Sequence, residues 1–157
     1  TNILNNGGTG FQASNAELML ILTASQSFPN YTTNSAANQN DIRNPRKTAY
    51  FNAKSSGNSG SQAGGSLGTD GVMRDPWGSP YIVALDLNYD NWVSNSVYNN
   101  NTVNGFNTGL ARQGAVNTHT WALKDTVMIF SFGADASLSD SSIANSDPNK
   151  DNVLSWK

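Results

Sequence analysis

The clearest hydrophobic pattern near the N-terminus lies in residues 11–25, FQASNAELMLILTAS. Ser14 followed by Glu17 forms a capping-box pattern, in which each side chain can bond a free backbone N–H at the start of a helix. The spacing predicts a helix over 11–25 with Leu18 and Leu22 on one face. Because all positions from Leu18 to Leu22 are apolar, we expect this helix to be covered on more than one side.

The middle of the chain lacks a regular apolar pattern. Asn44-Pro45 can open a short helix or a turn, and we expect Tyr50 and Phe51 after it to supply anchoring bulk. Residues 55–71 contain six Gly and five Ser. That composition predicts a flexible surface loop.

The second half of the chain has the short apolar runs that are typical of strands. A turn over Asp75–Pro80 precedes a predicted strand from Tyr81 to Leu87. The run Thr126–Phe132 is the most apolar of these segments, and we expect it to be a central strand. Residues 153–157, VLSWK, predict a short closing strand.

These elements predict a single α+β domain over residues 1–157, with an N-terminal helix packed on a small antiparallel sheet of three to four strands and with long loops. Within it we expect a helix arm over 1–30, a loop-rich middle over 31–74, and a region over 75–157 that holds the sheet and a candidate C-terminal metal loop.

The polar composition argues against several classes of protein. The chain has 23 Asn, 19 Ser and 12 Thr against 20 charged residues. These polar residues favour turns and caps over helix interiors, so a helical bundle is not expected. The hydrophobic fraction of 37% and the four Trp are too high for a disordered chain. Nine scattered Lys and Arg argue against a nucleic-acid-binding stripe, and we expect no nucleic acid among the partners.

Two further absences narrow the chemistry. The chain has no Cys, which excludes thiol catalysis, zinc sites built from Cys and a disulfide framework. It has no run of 18 apolar residues, so no part of this sequence is expected to span a bilayer.

Two acidic turns, residues 86–91 and 147–152, carry oxygen-bearing side chains at alternate positions. Such spacing can direct several oxygen ligands to one calcium ion, although neither turn is an EF-hand. The alternative for both is an Asx-rich turn that caps a hairpin. The second turn gains weight because Asp135 and Asp140 share its loop, and because a long loop beside a central strand needs something to order it.

Other candidate chemistry is weaker. His119 has no second His and no nucleophile motif beside it, so a surface or packing role is favoured over a hydrolase built on His119 and Asp125. An extracellular adhesin or carbohydrate-binding module that uses Trp92, Tyr98 and Trp121 is a further alternative. A sugar-stacking platform is less favoured for the other two Trp, in DPWG and beside the last strand, which we expect to pack the core.

Three segments resemble a known family. Residues 75–81, DPWGSPY, resemble the segment that starts the sheet in the major pseudopilins of type II secretion and in related type IV pilin-like proteins. Residues 130–135, FSFGAD, look like their hydrophobic strand and the turn after it, and residues 151–156, DNVLSW, resemble their closing segment. The block 44–54, NPRKTAYFNAK, and the helix over 11–25 also fit this prepilin-type architecture.

The resemblance implies a structural filament subunit and not an enzyme. In that family a prepilin peptidase cleaves a short basic leader, the new N-terminus is methylated, and apolar N-terminal helices stack in the filament core. We infer that this membrane-embedded helix was removed here. The implied partners are other subunits, the peptidase, the secretion or pilus machinery and the inner membrane; the implied location is the periplasmic or extracellular side of the cell envelope. Loops 55–71, 94–118 and 135–152 would face neighbouring subunits.

The resemblance also implies Ca²⁺ in the loop before the last strand. The matching positions are Asp135 at the start of the loop and Asp147 and Asp151 near its end. Asp140 is a further candidate ligand without a counterpart in the family. Asn152 stands where a second adjacent Asp is common, which removes one charged ligand.

The DPWG motif also has a direct physical interpretation. Asp75 can accept hydrogen bonds from the backbone of its own turn. The ring of Pro76 fixes the φ angle of Pro76 at the value that such a turn needs. Gly78 permits a tight bend, and Pro80 removes one N–H before the strand. We expect Trp77 to pack under the turn, which makes the motif architectural.

Overall fold

The computed structural model describes residues 15–31, 37–105, 109–113 and 120–157. The chain divides into two compact units, Thr1–Tyr81 and Ile82–Lys157. The turn over 75–81, which the sequence grouped with the sheet, belongs to the first unit. The predicted lead-in and the first turn of the predicted helix, including Ser14 of the capping box, lie outside the described residues.

The helix of the first unit, α1, spans Ala16–Leu22. It ends before the predicted residue 25, because Ala24 has a left-handed φ of +55° that no α-helix tolerates. No residue of α1 is exposed, which confirms the expected cover on more than one side, but Met19 and Leu20 are more deeply buried than the predicted face of Leu18 and Leu22. Within the described part of the chain, no helix has the length and apolar character needed to cross a membrane.

Buried asparagines hold the first unit together. The Asn15 amide donates to the carbonyls of Met73 and Tyr81 at 2.8 and 2.9 Å and accepts from the N–H of Met73. Asn38 likewise joins the end of α1 to the next segment, since its amide donates to the Leu20 carbonyl and accepts from the Asn44 N–H. These side chains satisfy backbone groups that helices and strands would otherwise pair.

The Gly- and Ser-rich segment 55–71 is an ordered part of this unit, contrary to the prediction of a flexible surface loop. It contains a 3₁₀ turn over Gly60–Ala63, and Leu67 forms bridges with Ser55 and Met73. Ala63 and Leu67 are buried. The glycines therefore serve close packing: a Cβ on Gly64 would lie 2.7 Å from a backbone oxygen of Pro76.

The described residues of the second unit contain five short strands in two antiparallel sheets. The strands are β1 (Ile82–Leu85), β2 (Ala111–Gln113), β3 (Thr120–Ala122), β4 (Val127–Ser131) and β5 (Val153–Leu154). The three-stranded sheet has the order β1-β4-β5, and β2 pairs with β3. The α+β class and the central place of β4 are confirmed. β1 and β4 are each shorter than predicted. The three-stranded sheet has the expected number of strands, and the β2-β3 pair was not predicted.

The core of the second unit centres on Tyr98. Its ring is fully buried and meets the rings of Phe130 and Trp156 edge to face, at centroid distances of 5.2 and 5.3 Å. Burial raises the pKa of Tyr98 to about 12, because the phenolate cannot be solvated there and the Asp151 carboxylate adds repulsion. The expected packing role of Trp156 is thus confirmed.

Candidate functional site

The predicted metal loop connects β4 to β5, which are antiparallel neighbours with Ser131 opposite Val153. The two ends of the loop therefore meet at one end of the sheet. Gly133 follows β4 with a φ of +68°, and a Cβ there would overlap the carbonyl oxygen of Asp151. The Asp135 N–H donates to Asp151 Oδ2 at 3.0 Å. We call residues 133–135 together with 151–152 the C-terminal corner.

The corner contains two buried oxygens without donors. Asp151 Oδ1 and Asn152 Oδ1 are inaccessible to solvent and have no hydrogen-bond partner. The Asn152 amide nitrogen donates to the Tyr98 hydroxyl at 2.8 Å, which fixes the orientation of the amide. Buried polar atoms without partners are rare, and carboxylate and amide oxygens are the ligand types that calcium takes. These two atoms fit a bound cation.

The four predicted ligands are only partly brought together. Asp135 and Asp151 share the corner, and one oxygen of Asp135 accepts from the Ser137 N–H. Asp147 forms an ion pair with Lys150 at 2.8 Å. Asp140 is exposed. Among the residues that the structure describes, no three acidic or His side chains form a group that could hold a metal. Calcium stays a prediction, and Asn152 joins its candidate ligands.

Lys150 places a positive charge close to these acids. The ion pair with Asp147 raises the pKa of Lys150, and the charges of Asp151 and Asp135 add to the effect. Three of the predicted ligands therefore act on one ammonium group. A calcium ion at the corner would have to share this field with Lys150.

Asn149 orders the loop, and nothing in the sequence pattern singled it out among 23 asparagines. Its side chain is buried. Its amide nitrogen donates to the carbonyls of Ser139 and Ser142 at 2.7 and 2.9 Å, and its oxygen accepts from the Ser139 N–H at 2.9 Å. A buried amide thus already spans the loop, which reduces the need for a metal to order it.

The other acidic turn, residues 86–91, has the Asx-rich form that was the alternative to calcium. The Asp86 carboxylate accepts from the backbone N–H groups of Asn88, Tyr89 and Asn91 at 2.8–3.2 Å. Asp90 accepts from the Trp92 N–H and from the Asn88 amide. Its carboxylates are thus already engaged by N–H donors.

The DPWG turn is built largely as expected. The buried Asp75 accepts from the N–H groups of Trp77 and Ser79 at 3.0 and 2.8 Å, and Gly78 has a φ of +101°. The expected burial of Trp77 is wrong, since its side chain is 52% exposed. A Cβ on Gly78 would lie 2.7 Å from the backbone oxygen of Ser61. The turn therefore packs directly on the backbone of Ser61, which leaves no space for an indole ring under the turn.

The remaining candidates receive little support from the geometry. His119 lies outside the described residues, and Asp125 is exposed and accepts from the Thr126 N–H. Of the three rings proposed for sugar stacking, Tyr98 is fully buried and the Trp121 indole N–H is bonded to Asn101 at 2.8 Å. A buried ring is not available to a glycan.

The fold and the site define a small α+β protein whose last β connection ends in an acidic corner. Comparison of the chain with protein-family models, with curated proteins and with solved structures gave no match. The function of the chain is therefore inferred from its sequence motifs and from the geometry of the C-terminal corner and the turns.

Proposed function

We propose that this chain is the head of a structural subunit in a pilus-like filament at the bacterial cell envelope, of the type II secretion pseudopilus or type IV pilus-related kind. One observation carries the proposal. The segment 75–81 ends immediately before β1, the turn at Gly133 follows β4, and the closing segment 151–156 contains β5. These strands are neighbours in the order β1-β4-β5. Along the chain, the three motifs thus precede, follow and contain these strands in the order that the family resemblance implies.

The role of each motif supports a structural subunit. One carboxylate oxygen of Asp75 accepts hydrogen bonds from backbone N–H groups. Gly78 permits the close approach of its turn to Ser61, and Gly133 permits the close approach of the turn after β4 to Asp151. Such contacts shape turns and expose no reactive group. The proposed partners are other subunits of the filament, a prepilin peptidase acting on the precursor, the secretion or pilus machinery, and the inner membrane through an N-terminal helix.

Calcium at the C-terminal corner belongs to this proposal. Asp151 and Asn152 would supply the buried oxygens, and Asp135 lies on the other side of the same corner. The ion would add a link between the turn after β4 and the start of β5. A ligand that binds only the native state stabilises it by mass action.

The gene upstream of this sequence tests the filament proposal. We expect it to encode a short basic leader, a processing site and about 20 apolar residues that form a helix. When the full-length subunit is expressed with its machinery, an antibody against this head should label filaments in electron micrographs, and deletion of the peptidase should abolish them. A gene without the leader and apolar segment, or a processed subunit that yields no filament, overturns the proposal.

A further inference from the structure

The first unit carries an exposed basic and aromatic segment. Four of the nine Lys and Arg of the chain lie between residues 43 and 54, so the cations are less scattered than their number suggested. Residues 42–54 contain no acid, and three large apolar side chains among them are exposed, namely Ile42 (71%), Tyr50 (61%) and Phe51 (37%). The expected anchoring role of Tyr50 and Phe51 is therefore wrong. We call residues 42–54 the basic segment.

The fold holds this segment in place. The Asn44 amide donates to the carbonyls of Ile21 and Thr48, both at 2.8 Å. The Phe51 N–H donates to the Leu22 carbonyl at 3.0 Å. Because both attachments reach the end of α1, the exposed side chains stand on a fixed backbone, and that backbone loses little freedom on binding.

Most cations of the basic segment lack an acidic partner. Lys47 pairs with Asp41 at 3.2 Å. Among the described residues, no acid lies within ion-pair distance of Arg43, Arg46 or Lys54. The segment thus presents unpaired positive charge beside apolar rings, a combination that suits an acidic partner with apolar side chains of its own.

The second unit presents such a surface at the turn 86–91. Leu87 is 50% exposed and Tyr89 is 89% exposed. Asp86 and Asp90 supply two negative charges, and their hydrogen bonds to the backbone make the turn rigid. We call this turn the acidic tip.

The net charges of the two units have opposite signs, as do the charges of the basic segment and the acidic tip. The unit Thr1–Tyr81 has five basic and four acidic residues, and Ile82–Lys157 has four basic and seven acidic residues. Asp41 and Asp70 form ion pairs inside the first unit, and Asp75 is buried. A second copy of this chain therefore offers the complementary charge.

We propose that the acidic tip of one copy docks on the basic segment of the next copy. Leu87 would pack beside Ile42 and Phe51, with Tyr89 and Tyr50 at the edge of the contact. Asp90 would face Arg43 or Arg46. The inference rests on the proposed function, since it names the contact between successive subunits. Because the two surfaces differ, the contact is heterologous, and a heterologous contact that does not close into a ring propagates as a filament.

Disulfide trapping tests the contact, and the absence of native Cys makes it clean. Tyr89→Cys and Tyr50→Cys chains are mixed at high concentration under mild oxidation. We expect a mixed dimer at several times the yield of the control mixture of Asn145→Cys with Tyr50→Cys, because Asn145 is exposed in an acidic loop outside the tip. At about 1 M salt, where the Debye length is about 3 Å, the excess should fall strongly.

Charge reversal provides a second readout. Arg43→Glu with Arg46→Glu in the Tyr50→Cys chain should reduce the mixed dimer to the control yield, and Asp90→Lys in the Tyr89→Cys chain should restore part of it. Far-ultraviolet circular dichroism should show that each variant remains folded. A mixed yield equal to the control, a Tyr89→Cys self-dimer of equal yield, or polyphosphate binding by the basic segment without a mixed dimer each overturns the proposal.

The contact and the filament proposal fail separately. If the full-length subunit forms filaments in which the Tyr50→Cys and Tyr89→Cys variants never cross-link, and if the charge-reversed subunit assembles normally, the contact is wrong and the filament proposal stands. If the mixed dimer forms but no filament is made by the processed subunit, the filament proposal is wrong and the contact between copies stands.

Discussion

The turns 86–91 and 147–152 share a sequence pattern, and the second of them ends in the C-terminal corner, but the two differ in how their oxygens are used. Asp86 begins its turn, so its carboxylate faces the N–H groups of the residues that follow. Asp151 ends a 3₁₀ turn, and the next residues pair with β4 instead. Asp151 Oδ1 and Asn152 Oδ1 are consequently buried without donors. The same oxygen spacing therefore leads to satisfied carboxylates in the first turn and to two oxygens without donors in the second.

Of the substitutions that test the C-terminal corner, we expect Gly133→Ala to reduce the free energy of unfolding most. The new Cβ would overlap the Asp151 carbonyl oxygen, at a φ of +68°. We expect the free energy of unfolding to fall by about 3 kcal/mol, since both strain and displacement of the corner contribute. Urea unfolding measures it.

Gly65→Ala is the matched control, because Gly65 has a φ of +69° but its nearest heavy atom to a Cβ is 3.8 Å away. Only the left-handed backbone is penalised there, at roughly 1–2 kcal/mol. Equal losses for the two variants would contradict the tight contact between Gly133 and Asp151.

Asn149→Ala should have the next largest effect. It removes three hydrogen bonds inside the last loop and leaves buried backbone groups without partners, so we expect a loss of about 2–3 kcal/mol. Asn145→Ala, at an exposed position of the same loop, should be close to neutral. If Asn149→Ala is also neutral in thermal unfolding, something other than this amide orders the loop.

Asp86→Ala should cost less, about 1 kcal/mol, because its backbone hydrogen bonds lie at an exposed turn. The same loss is expected in calcium and in EGTA, because the Asp86 carboxylate already accepts from backbone N–H groups. A loss that appears only in calcium would reverse the distinction between the two acidic regions.

A further effect concerns high pH. The pKa of Tyr98 is raised to about 12 from an ordinary value of 10.0, so the unfolded chain releases this proton first. Tyr98 therefore contributes stability that is complete below pH 10 and is lost as the pH rises toward 12. Phenolate absorbance should show a tyrosine that titrates with a pKa of about 12 and that Tyr98→Phe removes. Titration of all tyrosines at their ordinary pKa would contradict its burial.

The sequence predicted what depends on local periodicity and missed what depends on distant partners. β4 and the Asp75 turn follow from short patterns and were found. The bonds of Asn15 join it to residues 58 and 66 positions away, and no local pattern encodes them. The same amide can cap an exposed turn or bridge buried backbone, so the abundance of Asn suggested surface loops where the structure places several buried cross-links.

The candidate site was predicted in part. Asp135 and Asp151 meet because β4 and β5 are paired, which the order of the motifs indicated. Asn152 entered only as a missing Asp, because its role depends on the buried Tyr98 hydroxyl that fixes its amide. Asp147 forms an ion pair with Lys150. The three-residue separation of the two side chains in the sequence allows this pair but does not require it.

Thermal unfolding with calcium and with EGTA tests the cation site most directly. We expect calcium, but not magnesium, to raise the Tm of the wild-type chain, with a stabilisation of about 2.7 kcal/mol at one hundred times the Kd. The shift should disappear in Asp151→Ala and persist in Asp86→Ala. An unchanged wild-type Tm in EGTA, or an equal shift in both variants, would contradict a calcium site at the C-terminal corner.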